Sequence, residues 1–130
     1  MKFVIDASVV VAVVLGEPER EWAIESTRKG MALAPRSLPF EIGNALTGLV
    51  KRRCLSPEGM YAAWTAASAF RVTLRDIDIG AALRVAAANS LYGYDAYMLQ
   101  CATETKATLM TLDRRMAAVA RSMGLVVLES

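Results

Sequence analysis

The sequence of 130 residues contains no histidine. Histidine is the commonest general base and a member of the Ser-His-Asp and Cys-His catalytic arrangements, so its absence excludes those mechanisms and histidine-ligated zinc. Cysteine is scarce as well, because Cys54 and Cys101 are too few for a four-cysteine zinc site. We expect both to be free, buried thiols in a reducing compartment. Any catalysis must depend on carboxylates, hydroxyls, lysine or arginine.

Long apolar segments are missing too. The apolar run from Val9 to Leu15 is far shorter than the ~20 residues that span a bilayer. Asp6 interrupts what could otherwise resemble a signal peptide, and no small-residue cleavage site follows it. We therefore expect a cytoplasmic protein without membrane contact. Because the net charge is only +2, any binding of nucleic acid must come from local clusters of arginine and lysine.

Apolar residues are abundant. They make up 55% of the chain against 22% charged residues, which is more than the core of an ordinary soluble domain needs. We expect part of this surplus to cover a partner interface, with the first helix and Trp22, Tyr61 and Trp64 as candidates, although burial in the core is the more frequent fate of such residues. The length fits a single domain over residues 1–130, without a linker or internal repeat.

Strand and helix patterns alternate along the chain. Strands are predicted over residues 2–5, 31–34, 70–75, 108–112 and 125–128, the third near a sheet edge. Helices are predicted over residues 8–15, 19–29, 38–50, 57–69, 78–91, 95–105 and 114–123, with Ser37 as the N-cap of the third. This alternation predicts an α/β fold with a parallel sheet covered by helices on both faces.

Four carboxylates fall where such a fold binds ligands. Asp6 and Asp113 directly follow predicted strands, and Glu41 and Asp95 lie in the first turns of helices. Ligands of open parallel sheets bind at the carboxyl ends of the strands, so these side chains could converge. Each one alone is also explained as a helix cap or a complement to the helix dipole. Together they would repel one another unless a cation neutralised them, which favours Mg²⁺ or Mn²⁺.

Other polar residues surround these acids in the sequence. Ser8 and Thr111 could orient a carboxylate or a water through their hydroxyls, although helix capping and strand propensity explain them equally well. Asn44 lies one helical turn after Glu41 and could bind a carboxylate or a phosphate oxygen, or face solvent. The candidate contacts to phosphates, which could also be ordinary solvated residues, are Arg52, Arg53, Arg114 and Arg115.

Four short motifs occur in a recognisable order: Phe3–Ser8, Glu41 with Asn44–Leu46, Tyr94–Ala96 and Thr111–Arg115. Over essentially the whole chain they resemble PIN-domain toxins of the VapC type. The resemblance implies a PIN-like three-layer α/β/α sandwich whose five-stranded parallel sheet has the order 3-2-1-4-5. It also implies Mg²⁺ or Mn²⁺ at Asp6, Glu41, Asp95 and Asp113, endonucleolytic cleavage of RNA, a homodimer and a cognate antitoxin.

The chain departs from the family pattern at two places. Gly93-Tyr94 stands where many members carry a small hydroxyl residue, and Arg114, Arg115 and Met116 stand where some carry a further acid. These differences put the number of metal ions in doubt more than the activity.

Other functions fit the same acids less well. A catalytically silent PIN-like module that binds RNA or protein is the main alternative, and the intact acidic quartet argues against it. A phosphatase of the haloacid-dehalogenase class would need a second acid where this chain has Ser8. A receiver domain would need paired acids after the first strand and a late lysine, and neither is found.

Overall fold

The structure is a computed structural model that describes residues 1–130. Its five strands are β1 (Lys2–Ile5), β2 (Met31–Pro35), β3 (Thr73–Arg75), β4 (Thr108–Met110) and β5 (Val127–Leu128). Its seven helices are α1 (Ala7–Val14), α2 (Arg20–Thr27), α3 (Leu38–Lys51), α4 (Pro57–Ser68), α5 (Ile79–Asn89), α6 (Gly93–Thr105) and α7 (Arg114–Ser122).

All five strands are parallel and lie in the order β3-β2-β1-β4-β5, which confirms the predicted sheet. β1 is the central strand, with Phe3 opposite Ala32 of β2 on one side and Thr108 of β4 on the other. The strands nearest the centre are almost wholly buried, as expected for a parallel sheet with both faces covered. The third strand lies at an edge, as predicted.

The helices form two groups around the sheet, which gives the three-layer α/β/α arrangement. In one group α1 contacts α2, α3 and α4, and in the other α5 packs along α6. α6 contacts β1, β2 and β4 and contributes Met98 and Leu99, which are both fully buried. The core thus surrounds the central strand on both faces and fixes where its carboxyl end lies.

Several predicted boundaries were wrong. β4 ends at Met110 and not at Leu112, because its pairing with β5 involves only Leu109 and Met110. β3 starts at Thr73 and not at residue 70, since it pairs only with the last three residues of β2. α6 starts at Gly93, so Asp95 is its third residue and still in the first turn.

The two cysteines differ from each other. Cys101 on α6 is a free, buried thiol as expected, and burial raises its pKa to about 11, with a further contribution from Glu104. Cys54 is also free but exposed, because it lies in the connection between α3 and α4 and not within a helix. The prediction that it is buried was wrong.

None of the seven helices is both long enough and apolar enough to cross a membrane.

The contribution of the interior strand β4 to stability can be tested at Leu109. Leu109 is fully buried between β1 and β5, so Leu109→Ala should lower the free energy of unfolding by about 2–5 kcal/mol through reduced burial and the cavity left behind. Leu83→Ala on α5, where the side chain is 53% exposed, should cost less than about 1 kcal/mol. Urea denaturation of both variants measures the difference, and equal losses would contradict this description of the core.

Candidate active site

The carboxyl edge of the sheet brings the four predicted acids into one region. Asp6 directly follows β1, and Asp113 follows the neighbouring parallel strand β4 and caps α7. Glu41 lies in the first turn of α3, which begins just after β2, and Asp95 lies in the first turn of α6. Each side chain therefore comes from a different element, and all four elements begin or end at this edge.

Asp6 is held by hydrogen bonds on both of its carboxylate oxygens. Its Oδ1 accepts from the Ser8 hydroxyl at 2.5 Å and from the backbone N–H of Val9 at 3.2 Å, which caps α1. Its Oδ2 accepts from the hydroxyl of Thr111 at 2.5 Å. The side chain is only 4% exposed, so its position is fixed by the protein and not by solvent.

The same hydroxyls also tie β4 to the start of α1. The Ser8 hydroxyl accepts from the N–H of Leu112 at 3.2 Å, and the Thr111 hydroxyl accepts from the N–H of Asp113 at 2.9 Å. Ser8 and Thr111 thus contact an acid and the backbone leading to another acid.

Glu41 has one hydroxyl partner, Ser37. Ser37 is the N-cap residue of α3, as predicted, but its hydroxyl donates to Glu41 Oε2 at 3.0 Å and makes no capping hydrogen bond to the helix backbone. Ser37 has helical backbone angles, and its side chain therefore points along the first turn toward the residue four positions later. Glu41 itself is only 8% exposed.

Asp113 and Asp95 form the more open side of the region. Asp113 is exposed, and its Oδ1 accepts from the N–H groups of Arg115 and Met116 at 2.9 and 3.1 Å. The guanidinium of Arg115 donates from Nη2 to the carbonyl of Ser90 at 2.9 Å, which links α7 to the loop before α6. Its positive charge acts on Asp95 and lowers the pKa of that carboxyl, against larger effects that raise it.

Three of the four acids are harder to ionise than ordinary carboxylic acids. Burial raises the pKa of Asp6, and the negative charge of Asp113 adds to it. Burial raises the pKa of Glu41 to about 8, with further contributions from Asp6 and Asp95. Burial and the charge of Asp113 likewise raise the pKa of Asp95. Each acid therefore interacts with at least one of the others, which shows that the four are electrostatic neighbours.

The donor set is the kind that a hard divalent cation prefers. The region contains carboxylate and hydroxyl oxygens, and Arg115 is the one cation whose charge lowers the pKa of any of these three acids. No three Asp, Glu or Cys side chains are arranged as a ready-made cage for a metal ion. Mg²⁺ usually keeps several waters and binds one or two carboxylates directly, so the residues present fit such an ion without a cage.

The remaining predicted residues lie at different distances from these acids. Arg114 and Arg115 directly follow Asp113 at the start of α7 and are exposed. Asn44 is exposed on α3, and its side chain makes no hydrogen bond to the acids. Arg52 and Arg53 follow the far end of α3, three helical turns beyond Glu41. The structure thus groups one arginine pair with the acids and separates the other from them.

Sequence reasoning missed two contacts. Ser37 was interpreted as a cap and not as a partner of Glu41, although a serine four residues before a glutamate is a spacing at which helical side chains meet. The bond from Arg115 to Ser90 joins residues 25 positions apart, and nothing in the sequence indicates it.

The parallel sheet and its acidic edge define an α/β protein with a carboxylate-rich site. The sequence model of the PIN domain matches residues 3–122, which is most of the chain. The chain therefore belongs to the PIN-domain family, whose members generally use divalent metal ions. No curated protein matches the chain in sequence.

Solved structures share the fold. PAE2754 from Pyrobaculum aerophilum is 26% identical with a TM-score of 0.71, and the match covers 98% of this chain and 92% of that one. VapBC2 from Rickettsia felis, solved with a DNA fragment from its promoter, is 12% identical with a TM-score of 0.68 and coverages of 99% and 98%. VapC20 from Mycobacterium tuberculosis, described as a toxin that cleaves the sarcin-ricin loop, is 16% identical with a TM-score of 0.64 and coverages of 89% and 93%.

The raised pKa of Glu41 predicts a pH dependence of stability. Because its pKa rises from 4.5 to about 8 on folding, the folded protein binds more protons than the unfolded chain between these pH values. Stability should therefore fall as the pH rises from 4.5 to 8 in EDTA, and Glu41→Gln should remove part of that fall. Thermal unfolding at pH 5 and pH 8 measures it.

The exposed Glu58 in the first turn of α4 supplies a matched control. Glu58→Gln should leave the pH dependence of the melting temperature as it is in the unaltered protein. Equal slopes for the unaltered protein and Glu41→Gln would show that Glu41 ionises normally. Added Mg²⁺ should raise the melting temperature of the unaltered protein at pH 8, since an ion that binds only the folded state stabilises it.

Proposed function

We propose that the chain, as a single domain over residues 1–130, is a metal-dependent endoribonuclease and the toxin of a type II toxin–antitoxin pair. The observation that carries this proposal is the set of four carboxylates at the carboxyl edge of the sheet, three of which have a raised pKa. An accumulation of like charges at a partly buried site is unfavourable for a protein alone and favourable for one that binds a cation.

In this proposal Asp6, Glu41, Asp95 and Asp113 hold Mg²⁺ or Mn²⁺. When bound, a divalent ion supplies positive charge that activates a water molecule and stabilises the leaving oxygen of a phosphodiester. The protein positions the donors: Thr111 and Ser8 fix the orientation of Asp6, and Ser37 fixes that of Glu41.

RNA is the proposed substrate. One structural neighbour is described as a toxin that cleaves the sarcin-ricin loop, and the chain shares its fold. Arg114 and Arg115 offer positive charge directly beside Asp113, where the phosphates of a bound strand would pass. Arg114 and Arg115 are therefore the first candidates for contacts to phosphates. Arg52 and Arg53 are the second candidates, because they lie at the end of α3 away from Glu41.

An antitoxin and a second copy of the chain are the proposed protein partners. Another structural neighbour is the VapBC2 assembly, which supports an antitoxin for this chain as well. The aromatic residues predicted to form an interface differ in exposure. Tyr61 and Trp64 on α4 are 67% and 41% exposed, whereas Trp22 is half-buried against the core. Phe40 on α3, which is 72% exposed, joins the two α4 aromatics as a candidate contact.

Cleavage of a mixed RNA pool tests the enzymatic part of the proposal. The purified protein should cleave RNA with Mg²⁺ or Mn²⁺ and not with EDTA. Asp6→Asn and Asp95→Asn should each lower the rate at least about 100-fold, since each removes a negative charge from the site without changing side-chain size. Gel analysis of the RNA products measures the rate.

The fold of the variants must be checked in the same experiment. Circular dichroism should show native secondary structure for Asp6→Asn and Asp95→Asn, and Glu58→Gln should cleave at the normal rate. Normal cleavage by folded Asp6→Asn would exclude the acidic site as the centre of the reaction.

The arginine assignment predicts a change in salt dependence. Removing one arginine that binds a phosphate should reduce the slope of log K against log salt by roughly 0.7 for a single-stranded RNA. Replacing Arg114 and Arg115 together with glutamine should therefore flatten the slope more than the same change at Arg52 and Arg53. Fluorescence anisotropy with labelled RNA at several salt concentrations measures both slopes, and an unchanged slope for the first pair would exclude it.

The alternative is a catalytically silent PIN-like module that binds RNA or protein. Binding of RNA by the antitoxin-free protein, without cleavage under any metal condition, would support that alternative.

A further inference from the structure

A cavity of about 280 Å³ lies beside the acidic site. Its walls are the end of β2 with the two residues after it (Pro35–Ser37), the end of β3 with the two residues after it (Arg75–Ile77), Ile79 on α5 and Tyr97 on α6. All of these segments lie at the carboxyl edge of the sheet, the same edge that carries the four acids. Nothing in the proposed hydrolysis uses this cavity.

Ser37 connects the cavity with the acidic site. The residue lines the cavity, and its hydroxyl donates to Glu41 Oε2 at 3.0 Å. The β2 side and the β3 side of the cavity are also joined by a hydrogen bond, since the backbone N–H of Arg36 donates to the carbonyl of Arg75 at 3.2 Å. A molecule bound in the cavity would therefore contact Ser37, the hydrogen-bond partner of Glu41.

The walls combine an aromatic ring, aliphatic side chains and positive charge. The ring of Tyr97 is half-buried and packs edge-on against that of Tyr94, with centroids 6.2 Å apart, so its orientation is restrained. Ile77 and Ile79 add apolar surface. Arg36 is paired with Asp76 at 2.6 Å, whereas Arg75 takes part in none of the ion pairs and keeps its donors free.

This combination matches the chemistry of a nucleobase. Unpaired bases bind proteins by stacking on aromatic rings or guanidinium planes and by hydrogen bonds to their edges. The volume is at the lower end of the range of ligand pockets, which suits one base and not a larger folded ligand. The unpaired charge of Arg75 also complements the phosphates that flank any base in RNA.

We propose that this cavity is a subsite for one nucleobase of the RNA strand, adjacent to the phosphodiester that is cleaved. The inference rests on the proposed function, because it takes the acidic site as the place of cleavage. It adds a base-contacting region, formed by Tyr97 and Arg75, to a site that otherwise contacts only phosphates. Tyr97 and Arg75 then help to decide which position of an RNA is cut.

The first test needs neither metal nor cleavage. The isotope-labelled protein is titrated in EDTA with each of the four ribonucleoside 5′-monophosphates and with ribose 5-phosphate, and amide shifts are followed by NMR. Amides of Ser37, Asp76, Ile77 and Tyr97 should shift with at least one monophosphate and not with ribose 5-phosphate. Tyr97→Ala should weaken that binding about tenfold and Tyr97→Phe less than about threefold, because the ring and not the hydroxyl stacks.

Arg71 provides the control for Arg75. Both arginines are exposed, but Arg75 is the last residue of β3, whereas Arg71 lies two residues before the strand, at the opposite edge of the sheet. Arg75→Ala should weaken monophosphate binding and Arg71→Ala should not. Equal shifts with ribose 5-phosphate, absent shifts at the cavity, or equal effects of the two arginine variants would overturn the proposal.

A second experiment tests whether the base that binds in the cavity belongs to an RNA strand or to a free mononucleotide. In an RNA that the protein cleaves, removing the base next to the cut bond should lower kcat/KM about tenfold, and Tyr97→Ala should show no further loss with that RNA. An unchanged kcat/KM on removal of either flanking base would overturn the subsite.

The oligomeric state of Tyr97→Ala is measured by sedimentation. Loss of a dimer in this variant, with base sensitivity intact, would assign the cavity to a second copy of the chain and also overturn the subsite. Failure of all cleavage would count against the nuclease, whereas the NMR titration tests the cavity independently.

Discussion

The buried carboxylate of Asp6 holds together the two halves of the site. It accepts hydrogen bonds from Ser8 and Val9 on the chain that leaves β1, and from Thr111 on the chain that leaves β4. The Thr111 hydroxyl in turn accepts from the N–H of Asp113. A single buried acid therefore fixes the relative position of two neighbouring strand ends, and the second acid is placed through the same hydroxyl.

This arrangement has an electrostatic cost that burial increases. Three carboxyl groups with a raised pKa lie near one another, and Arg115 offsets the charge only at Asp95. A protein selected for stability alone would place apolar groups or paired charges at such a position. The cation site proposed above would explain this cost, because repulsion among the carboxylates favours binding of positive charge.

The alternation of strands and helices and the position of Asp6 at a strand end could be predicted from sequence because they depend on local rules, whereas the strand order was predicted from the family resemblance. Strand and helix periodicity sets the alternation of elements, and an acid directly after a parallel strand must lie at the carboxyl edge. The bond from Arg115 to Ser90 and the cavity beside Tyr97 depend on how distant segments pack, which no local pattern encodes. The exposure of Cys54 was missed for a related reason, since burial of a residue just beyond a helix depends on where α3 ends and how α4 packs against it.

Two interpretations of the aspartates that compete at the level of sequence turn out to be compatible. Asp6 caps α1 and Asp113 caps α7, as expected of acids at junctions between strands and helices. A carboxylate has about four lone-pair positions, and the cap of α7 uses only Oδ1 of Asp113. Its Oδ2 is left for another partner. Capping thus places the acid and immobilises it. A structural role for an aspartate at this edge therefore prepares that residue for a functional role and is not evidence against such a role.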